Sequence, residues 1–531
     1  MKHPVNTPAI NTRYAPAAEY CRLTQKEEHY LDDHSPSCLH FKRGARPRCV
    51  NVVNVGLFFD GTNNNMKRDY DDKPPATRCH SNVVRLYLAY PDKRSLGSAN
   101  QYFPYYMPGV GTPFPEIGET TETQAGKAFA KGGQARILWA VLQVYNAVHR
   151  AVYDNEPLFS NDEMASLIKD YEHKVDDQRR PDPEAPPILR RDWFRPLTER
   201  LSQKLRERLA RRLPEIPLVS LSVFGFSRGA VEARAFCYWY QDALQDGLFA
   251  GSETEIKFLG VFDSVASVGT SASMHEQFGL WILSGHSSWA AEILKPLPAI
   301  VKKTVHLMAA HEVRMNFPLT RVVGGNVEEW LFPGAHSDVG GGYPPGDQGR
   351  ARWGQASLLS QIPLLHMYRA ALVAGVPLTR FDRLVERVRR DFEVSVRCRR
   401  TSTSTSRDWA RTRKRISGGS TASICGSTTS GVRACCMQAR GLSPDSPLPV
   451  RTDKTFRSRT KTCNGICACC GRARIRMPSS MTARWHCPRR SALAPARCRS
   501  STRMPAIRSR LGSTGHWASS MPPWRSGERR T

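Results

Sequence analysis

The first 400 residues contain a series of short apolar runs, each of which ends at a polar or glycine-containing loop. Between these runs lie segments whose apolar residues recur at the spacing of a helix. Three such runs are "VNVVNVGLFF" before Asp60, "LVSLSVFGF" before Ser227 and "EIKFLGVF" before Asp263. Runs that are apolar at nearly every residue are typical of strands buried on both faces. Their alternation with helices predicts an α/β fold: a mostly parallel sheet with helices on both faces.

Functional groups in such sheets gather beyond the carboxyl ends of the strands. The predicted strands end near Phe59, Phe224, Phe262 and Leu331. We therefore expect the loops that follow these four residues to meet at one edge of the sheet and to carry the chemistry.

The segment "GFSRGA", residues 225–230, places Ser227 between two glycines where a strand gives way to an alanine-rich helix. One interpretation is that the serine only caps the helix. The other is a nucleophile elbow, G-x-S-x-G, in which a strained turn lifts the hydroxyl into a cleft. The bare pattern should occur by chance in about one chain of this size in five. The strand before it and the helix after it favour the elbow.

A serine hydroxyl becomes a good nucleophile only when a histidine takes its proton, and an acid must orient that histidine. Asp263 stands where an apolar strand ends and is the preferred acid, although a turn or cap at the strand end is the alternative. Asp242 and Asp246 lie on or just beyond the helix after Ser227. We rank them lower because they face away from the predicted cleft.

Four of the histidines that follow the elbow are the candidate bases: His286, His306, His311 and His336. His306 and His311 fall in "VKKTVHLMAAHEVRMNF", which predicts an amphipathic helix with packed or surface histidines. His336 lies in the glycine-rich loop "PGAHSDVGGGY", where close backbone approach is allowed. We therefore choose His336 and expect Asp338 to order its own loop.

An oxyanion hole requires two donors near the nucleophile. The amide of Arg228 is the expected first donor, and the turn after Phe59 should supply the second through Gly61. Asp60 and Thr62 in the same turn are expected to shape substrate binding. This hypothesis involves no metal and no cofactor.

The last 131 residues differ in composition from the rest of the chain. The whole 531-residue chain has a net charge of +29, and residues 401–531 hold 26 Lys and Arg against four Asp and Glu. Nine of the fifteen cysteines also lie there. The first 400 residues are thus only mildly basic and poor in cysteine, consistent with synthesis in a reducing cytoplasm.

Three interpretations of the tail, residues 396–531, are open: a basic nucleic-acid-binding arm, a cysteine metal cluster, or translation in a wrong reading frame. Its cysteines lack paired C-x-x-C halves, and aromatic residues are not interleaved for stacking on bases. Codons for "TSTSTS", residues 401–406, can spell Asp-Phe-Asn-Val-Tyr-Leu in another frame. We favour the frameshift, expect a low-order tail, and predict no specific nucleic-acid partner.

The remaining segments complete the expected layout. Residues 1–48 predict an irregular lead-in without the apolar core of a secretory signal. No apolar run approaches the ~20 residues of a membrane-spanning helix. Residues 155–215 predict a charged helical insertion, whose charges either form a solvated face or contact a membrane surface or a partner. Residues 270–300 predict either a lid that contacts membrane or ordinary core.

Six segments together resemble a known family: "LFFDGTNNN", "SNVVRLY", "YYMPGVGT", "GFSRGA", "FLGVFDSVASVG" and "PGAHSDVGGGY". They look like the segments of the α/β-hydrolase-like type VI secretion lipase effectors, antibacterial phospholipases of Gram-negative bacteria. The resemblance runs from about residue 50 to 390. It implies a catalytic triad of Ser227, Asp263 and His336. It also implies injection into a rival's periplasm, an immunity protein, and binding to a secretion spike protein.

The hypothesis is therefore a phospholipase of type A with a catalytic domain over residues 49–395. It would hydrolyse acyl esters of membrane phospholipids. Two alternatives stay open: a soluble-ester or thioester hydrolase with the same triad, and a non-catalytic interaction module on a hydrolase scaffold.

Overall fold

A parallel sheet organises the chain in the computed structural model. The structure describes residues 5–6, 16–33, 50–95, 98–122, 132–175, 188–209, 215–265, 292–314, 317–347, 354–396 and 398. The predicted tail therefore lies outside the described residues except for residues 396 and 398, and so does most of the predicted lid.

Each strand pairs only in parallel with its neighbours among the described residues. The strands are β1 (Val5–Asn6), β2 (Val50–Phe59), β3 (Asn100–Met107), β4 (Glu215–Phe226), β5 (Glu253–Phe262), β6 (Thr304–Ala309) and β7 (Val327–Phe332). Their order in the sheet is β1-β7-β6-β5-β4-β2-β3. The α/β fold with a mostly parallel sheet is confirmed.

Helices cover both faces of the sheet, as predicted. They are α1 (Ala17–Tyr20), α2 (Gln25–Asp33), α3 (Asn82–Ala89), α4 (Gly133–Val152), α5 (Asn161–Lys174), α6 (Arg190–Leu209), α7 (Arg228–Asp242), α8 (His336–Gly340), α9 (Gln361–Val373) and α10 (Glu386–Arg390). In the described helices, no stretch combines the length and the apolar character that crossing a bilayer requires.

Alternate side chains of the buried strands feed two separate cores. Val55 and Leu57 of β2 pack with α4, α5, α6 and α7 on one face. Phe58, which lies between Leu57 and Phe59 in sequence, packs with α1, α3, α9 and α10 on the other face of the sheet. Both faces of each central strand are therefore apolar, which explains why the strands appear in the sequence as unbroken hydrophobic runs.

The strand that contains His306 corrects one prediction. Residues 301–317 were expected to form an amphipathic helix, yet Thr304–Ala309 form β6, between β5 and β7. A strand buried on both faces shows no period-2 alternation, so its short apolar run resembles a helix segment. His306 is thus part of the sheet, and His311 lies beyond its end.

Two other segments also differ from expectation. The lead-in, expected to be irregular, contains β1, α1 and α2 among its described residues. The segment "FDRLVERVRRDFEVSV", residues 381–396, has a sequence typical of a helix, but it contains a 3₁₀ turn at Phe381–Arg383 and the short α10. Within the expected charged insertion, α6 buries Phe194 and Leu201 in the core. Exposed charged residues lie on the other side of that helix: Arg191, Arg195, Glu199, Arg200 and Arg206.

Candidate active site

Ser227 occupies a sharp turn between β4 and α7. Its φ is 59° and its ψ is −124°, a combination that residues with a side chain rarely adopt. Its amide donates to the carbonyl of Phe262 at 3.0 Å. Its side chain makes no capping hydrogen bond to α7. The hydroxyl is not used as a helix cap, so the geometry matches a nucleophile elbow rather than the capping alternative.

Gly229 explains why the motif needs a glycine after the serine. A Cβ at this position would lie 2.2 Å from the carbonyl oxygen of Asp60. No side chain can therefore be accommodated there without moving backbone. The missing side chain lets the first turn of α7 pack directly on the turn that follows β2.

The predicted acid and base meet at this edge. His336 Nδ1 lies 2.6 Å from Asp263 Oδ2, and both side chains are buried. The other oxygen of the carboxylate, Oδ1, accepts from the amide of Ala309 at 2.8 Å. Asp263 itself has a positive φ of 39° and donates its amide to the carbonyl of Leu307 at 2.7 Å. Backbone groups of Leu307 and Ala309 in β6 thus fix the direction of this carboxylate.

His336 is the first residue of α8 and is held on several sides. Its ring centroid lies 4.7 Å from that of Phe226 and 4.8 Å from that of Phe317. Its amide donates to Glu312 Oε2 at 3.1 Å. A Cβ on Gly340 would lie 1.9 Å from the ring of Phe226, so α8 packs closely on the residue before Ser227. The structure therefore brings the base, the acid and the serine turn together.

The lower-ranked candidates lie elsewhere or have other partners. Asp242, at the far end of α7, pairs with Arg190 at 2.7 Å, about 20 Å along the helix from Ser227. Asp246 lies beyond that end and is exposed. His311 Nδ1 accepts from the amide of Gly334 at 3.0 Å. His286 lies outside the described residues.

Asp338, in α8, has a structural role in its own loop. Its Oδ2 accepts from the amide of Ala335 at 2.9 Å. The expectation that Asp338 orders its own loop is therefore confirmed.

The turn after β2 is organised by a buried carboxylate. Asp60 Oδ1 accepts from the amide of Gly61 at 2.7 Å, and Asp60 Oδ2 accepts from the hydroxyl of Tyr106 at 2.6 Å. Burial raises the pKa of Asp60 to about 6, against hydrogen bonds from Ser81, Tyr106 and Gly61 that lower it. The amide of Gly61, the predicted second oxyanion donor, is therefore engaged by Asp60 in this structure. The amide of Thr62 has no acceptor among the described residues.

The side chain of Arg228 joins the elbow to the same turn. Its Nε donates to Thr62 Oγ1 at 2.6 Å. Burial lowers the pKa of Arg228 to about 10, and the nearby Glu232 opposes that shift. Arg228, Thr62, Asp60 and Gly61 therefore form one connected wall beside Ser227.

Three residues of the site were missed from the sequence. They are Tyr106, Glu312 and Phe317, which contact Asp60, the amide of His336 and its ring respectively. Tyr106 could have been found, because the run "QYFPYYM" before Pro108 has the composition of a strand and Tyr106 lies at its carboxyl end, and so at the same edge. Glu312 and Phe317 fall in the segment predicted to be helical. Because that prediction was wrong, their position beyond the end of β6 could not be foreseen.

A cavity of about 940 Å³ lies away from this cluster, at the opposite, amino edge of the sheet. Its lining includes residues of α2, Lys257 of β5, Lys302 just before β6, Trp330 of β7 and Arg369 of α9. Acidic and basic groups are mixed in its lining, and none of the residues predicted to be catalytic contributes to it.

Comparison with known proteins identifies the family of the chain. Residues 54–243 and 240–370 match the family model described as "T6SS, Phospholipase effector Tle1-like, catalytic domain". No curated protein matches the chain. A crystal structure of an uncharacterized protein from Pseudomonas aeruginosa superposes with a TM-score of 0.62 at 29% identity. That match covers 82% of this chain and 58% of the other, so the chain spans somewhat over half the length of this relative.

A second solved structure is the Tle1 effector bound to the VgrG spike of the type 6 secretion system. It aligns at 21% identity with a TM-score of 0.28, over 56% of this chain and 52% of that chain. The family match spans well over half of the 531 residues and includes Ser227, Asp263 and His336. The chain belongs to the Tle1-like phospholipase effector family of the type VI secretion system.

Proposed function

We propose that the chain is a serine hydrolase that cleaves acyl esters of membrane phospholipids, with Ser227 as nucleophile, His336 as base and Asp263 as acid. The observation that carries the proposal is the 2.6 Å contact between His336 and Asp263, at the edge of the sheet where Ser227 stands in a strained turn. Membership of a phospholipase effector family supports the substrate class.

Each of the three residues has a step in the proposed reaction. Nδ1 of His336 carries the proton shared with Asp263, so Nε2 is available to take the proton of Ser227 Oγ. The oxygen of Ser227 then attacks the carbonyl carbon of the ester. His336 returns the proton to the departing alcohol, leaving a lysophospholipid and an acyl-enzyme. Water, deprotonated by His336, attacks the acyl-enzyme and releases the fatty acid.

The negative charge on the tetrahedral intermediate needs donors. We propose the amide of Arg228 as one and the Asp60–Thr62 turn as the source of the other. Since Asp60 already engages the amide of Gly61, the carboxylate must release that amide or the amide of Thr62 must act in its place. The contact of Arg228 Nε with Thr62 keeps both parts of the wall in register.

Delivery is proposed from family membership alone. We propose that a type VI secretion system carries the chain, bound to a spike protein, into the periplasm of a target cell, where its phospholipid substrate lies. The producing cell would then need an immunity protein. The family to which the chain belongs, a family of type VI effectors, supports this proposal.

Release of fatty acid from vesicles of phosphatidylethanolamine and phosphatidylglycerol tests the activity, with a short-chain nitrophenyl ester as soluble comparison. We expect Ser227→Ala, Asp263→Asn and His336→Ala each to lower kcat by about 10⁴- to 10⁶-fold. Double variants should be no worse than single ones, because the three residues act as a unit.

Asp246→Asn is the matched control for Asp263→Asn. Both aspartates have a positive φ, but Asp246 is exposed and remote from Ser227. It should leave kcat unchanged. Hydrolysis of the soluble ester without hydrolysis of vesicles would point to a soluble-ester enzyme, and hydrolysis of neither would leave a non-catalytic module.

A further inference from the structure

A second carboxylate–imidazole pair lies directly behind the Asp263–His336 pair. Nδ1 of His306, on β6, is 3.1 Å from Oε1 of Glu329, on β7. These two residues are register partners across the two strands, and both have no exposed surface. The proposed reaction uses neither of them.

The contacts of His306 select one of its two neutral tautomers. The amide of Ser264 donates to His306 Nε2 at 3.2 Å. Because an amide can only donate, Nε2 must act as an acceptor and carry no proton. The proton of the ring is therefore on Nδ1, which donates it to Glu329.

Glu329 is itself fixed by further donors. Its Oε2 accepts from Arg321 Nε at 2.6 Å, and its Oε1 accepts from the amide of Val322 at 3.1 Å. Burial raises the pKa of Glu329, but hydrogen bonds from His306, Arg321 and the amide of Val322 outweigh burial and lower it below its ordinary value. Glu329 is thus an ionised anchor, which explains how the imidazole keeps a single orientation.

The amide that His306 holds belongs to the residue immediately after Asp263. Other contacts of this turn also involve backbone: the amide of Asp263 with the carbonyl of Leu307, Asp263 Oδ1 with the amide of Ala309, and the carbonyl of Ser264 with the amide of Thr320. The positive φ of Asp263 is strained and persists only where the surroundings enforce it. His306 supplies the contact on the far side of that strained residue.

We propose that His306 and Glu329 are positioning residues for the acid: Glu329 holds His306 in its Nδ1-protonated tautomer, and His306 Nε2 holds the amide of Ser264 so that the carboxylate of Asp263 points at His336. This inference rests on the proposed function, because it assigns a role within the same triad.

The charges around His306 agree with this role. Burial lowers the pKa of His306, and Arg234 of α7 acts in the same direction, whereas Glu329 of β7 and Asp263, after β5, oppose the shift. Arg321, before β7, neutralises Glu329 from the other side. The ring thus stays neutral at ordinary pH. A proton on Nε2 would face the amide proton of Ser264 and break the contact.

The test compares two substitutions that differ in one acceptor. The side-chain oxygen of Gln can take the place of Nε2, whereas Leu has no acceptor. We expect His306→Leu to lower kcat on phospholipid vesicles by about 10- to 100-fold with little change in KM. His306→Gln should recover most of that loss. In an Asp263→Asn background, His306→Leu should cause no further loss, because it acts through Asp263.

Equal kcat for His306→Leu and wild type would overturn the proposal, as would an undiminished loss in the Asp263→Asn background. The ¹⁵N shifts of His306 in the wild-type protein give a measurement that needs no variant to fold. We expect a protonated Nδ1 and a bare Nε2, and the opposite tautomer would refute the assignment. Ser227→Ala is assayed in parallel: full activity there would reject the proposed function itself, whereas its inactivity beside a fully active His306→Leu would reject only the positioning role.

Discussion

Ser227, the proposed nucleophile, has an unfavourable backbone conformation. A residue with a Cβ at φ 59° and ψ −124° costs about 1–3 kcal/mol, and the contacts of the elbow must offset that cost. The amide of Ser227 donates to Phe262, and Gly229 allows α7 to begin at once. The strain holds the hydroxyl above the strand end instead of within the sheet.

This strain can be measured with two inactive variants. Ser227→Ala and Ser227→Gly both lack the hydroxyl, but only Gly removes the Cβ. We expect Ser227→Gly to be more stable than Ser227→Ala by about 1 kcal/mol in urea unfolding, after allowing for the greater entropy of Gly in the unfolded chain. At Ser252, whose φ is not positive, the order should reverse. A Ser227→Ala protein at least as stable as Ser227→Gly would argue against strain at the elbow.

The three residues proposed for the triad could be chosen from the sequence because each stands where an apolar run ends or in a glycine-rich loop. The residues around them could not. Glu312 stands in a polar stretch of sequence and is expected to be exposed. His306 lies in an apolar run, which predicts a histidine packed in the core rather than one that orients another residue. Their roles depend on which strands become neighbours, and that information is absent from local patterns.

At the scale of elements, the contact between α7 and the turn after β2 determines the shape of the site. The two segments are more than 160 residues apart in sequence, yet the backbone of Gly229 touches that of Asp60. The helix and the turn must therefore move together, and the amides of Arg228 and of the Asp60–Thr62 turn keep a fixed spacing.

We expect Gly229→Ala to disturb both stability and catalysis. The new Cβ would lie 2.2 Å from the Asp60 carbonyl oxygen, so helix and turn must separate, at a cost of about 1–3 kcal/mol. With the oxyanion donors displaced, kcat should fall by about 100-fold. Gly325→Ala is the control, because a Cβ there meets nothing within 4 Å. Wild-type kcat in Gly229→Ala would show that this contact does not set the spacing of the donors.

The same helix buries an acid that the proposed mechanism does not use. Glu232 lies one turn after Arg228, and its Oε1 has no hydrogen-bond partner among the described residues. Burial raises its pKa to about 8, although Arg136 and Arg228 oppose the shift. A folded-state pKa above the ordinary 4.5 means that the folded state holds its proton more tightly. The resulting stability is complete below about pH 4.5 and is lost as the pH rises through about 8.

Urea unfolding of wild type and Glu232→Gln at several pH values tests this shift. Between pH 5 and 8, the free energy of unfolding of wild type should fall relative to the variant, by up to about 1.4 kcal/mol per pH unit. Glu199 is exposed, so the free energy of unfolding of Glu199→Gln should depend on pH in the same way as that of wild type. Parallel profiles for wild type and Glu232→Gln would mean that Glu232 is ionised in the folded protein at neutral pH.

For the whole molecule, the alternation of strands and helices predicted the class of fold, and the assignment of β6 was the main error. That strand is apolar on both faces and is followed by the polar segment "HEVR", so its local pattern fits a helix equally well. Only its neighbours β5 and β7 make it a strand. The α/β fold therefore follows from repetition along the chain, whereas the identity of one short element depends on tertiary pairing.

The order of strands also fixes when the site can form during synthesis. Asp263 follows β5 and His336 follows β7, with β6 between these strands in the sheet. A nascent chain that has reached only Phe332 holds the serine turn and the acid but has no base. Acid and base can meet only after β6 and β7 have joined the sheet. A cell that makes this proposed lipid-degrading toxin therefore carries an incomplete active site on every unfinished chain, and truncated products that end before His336 would be harmless to their own membrane.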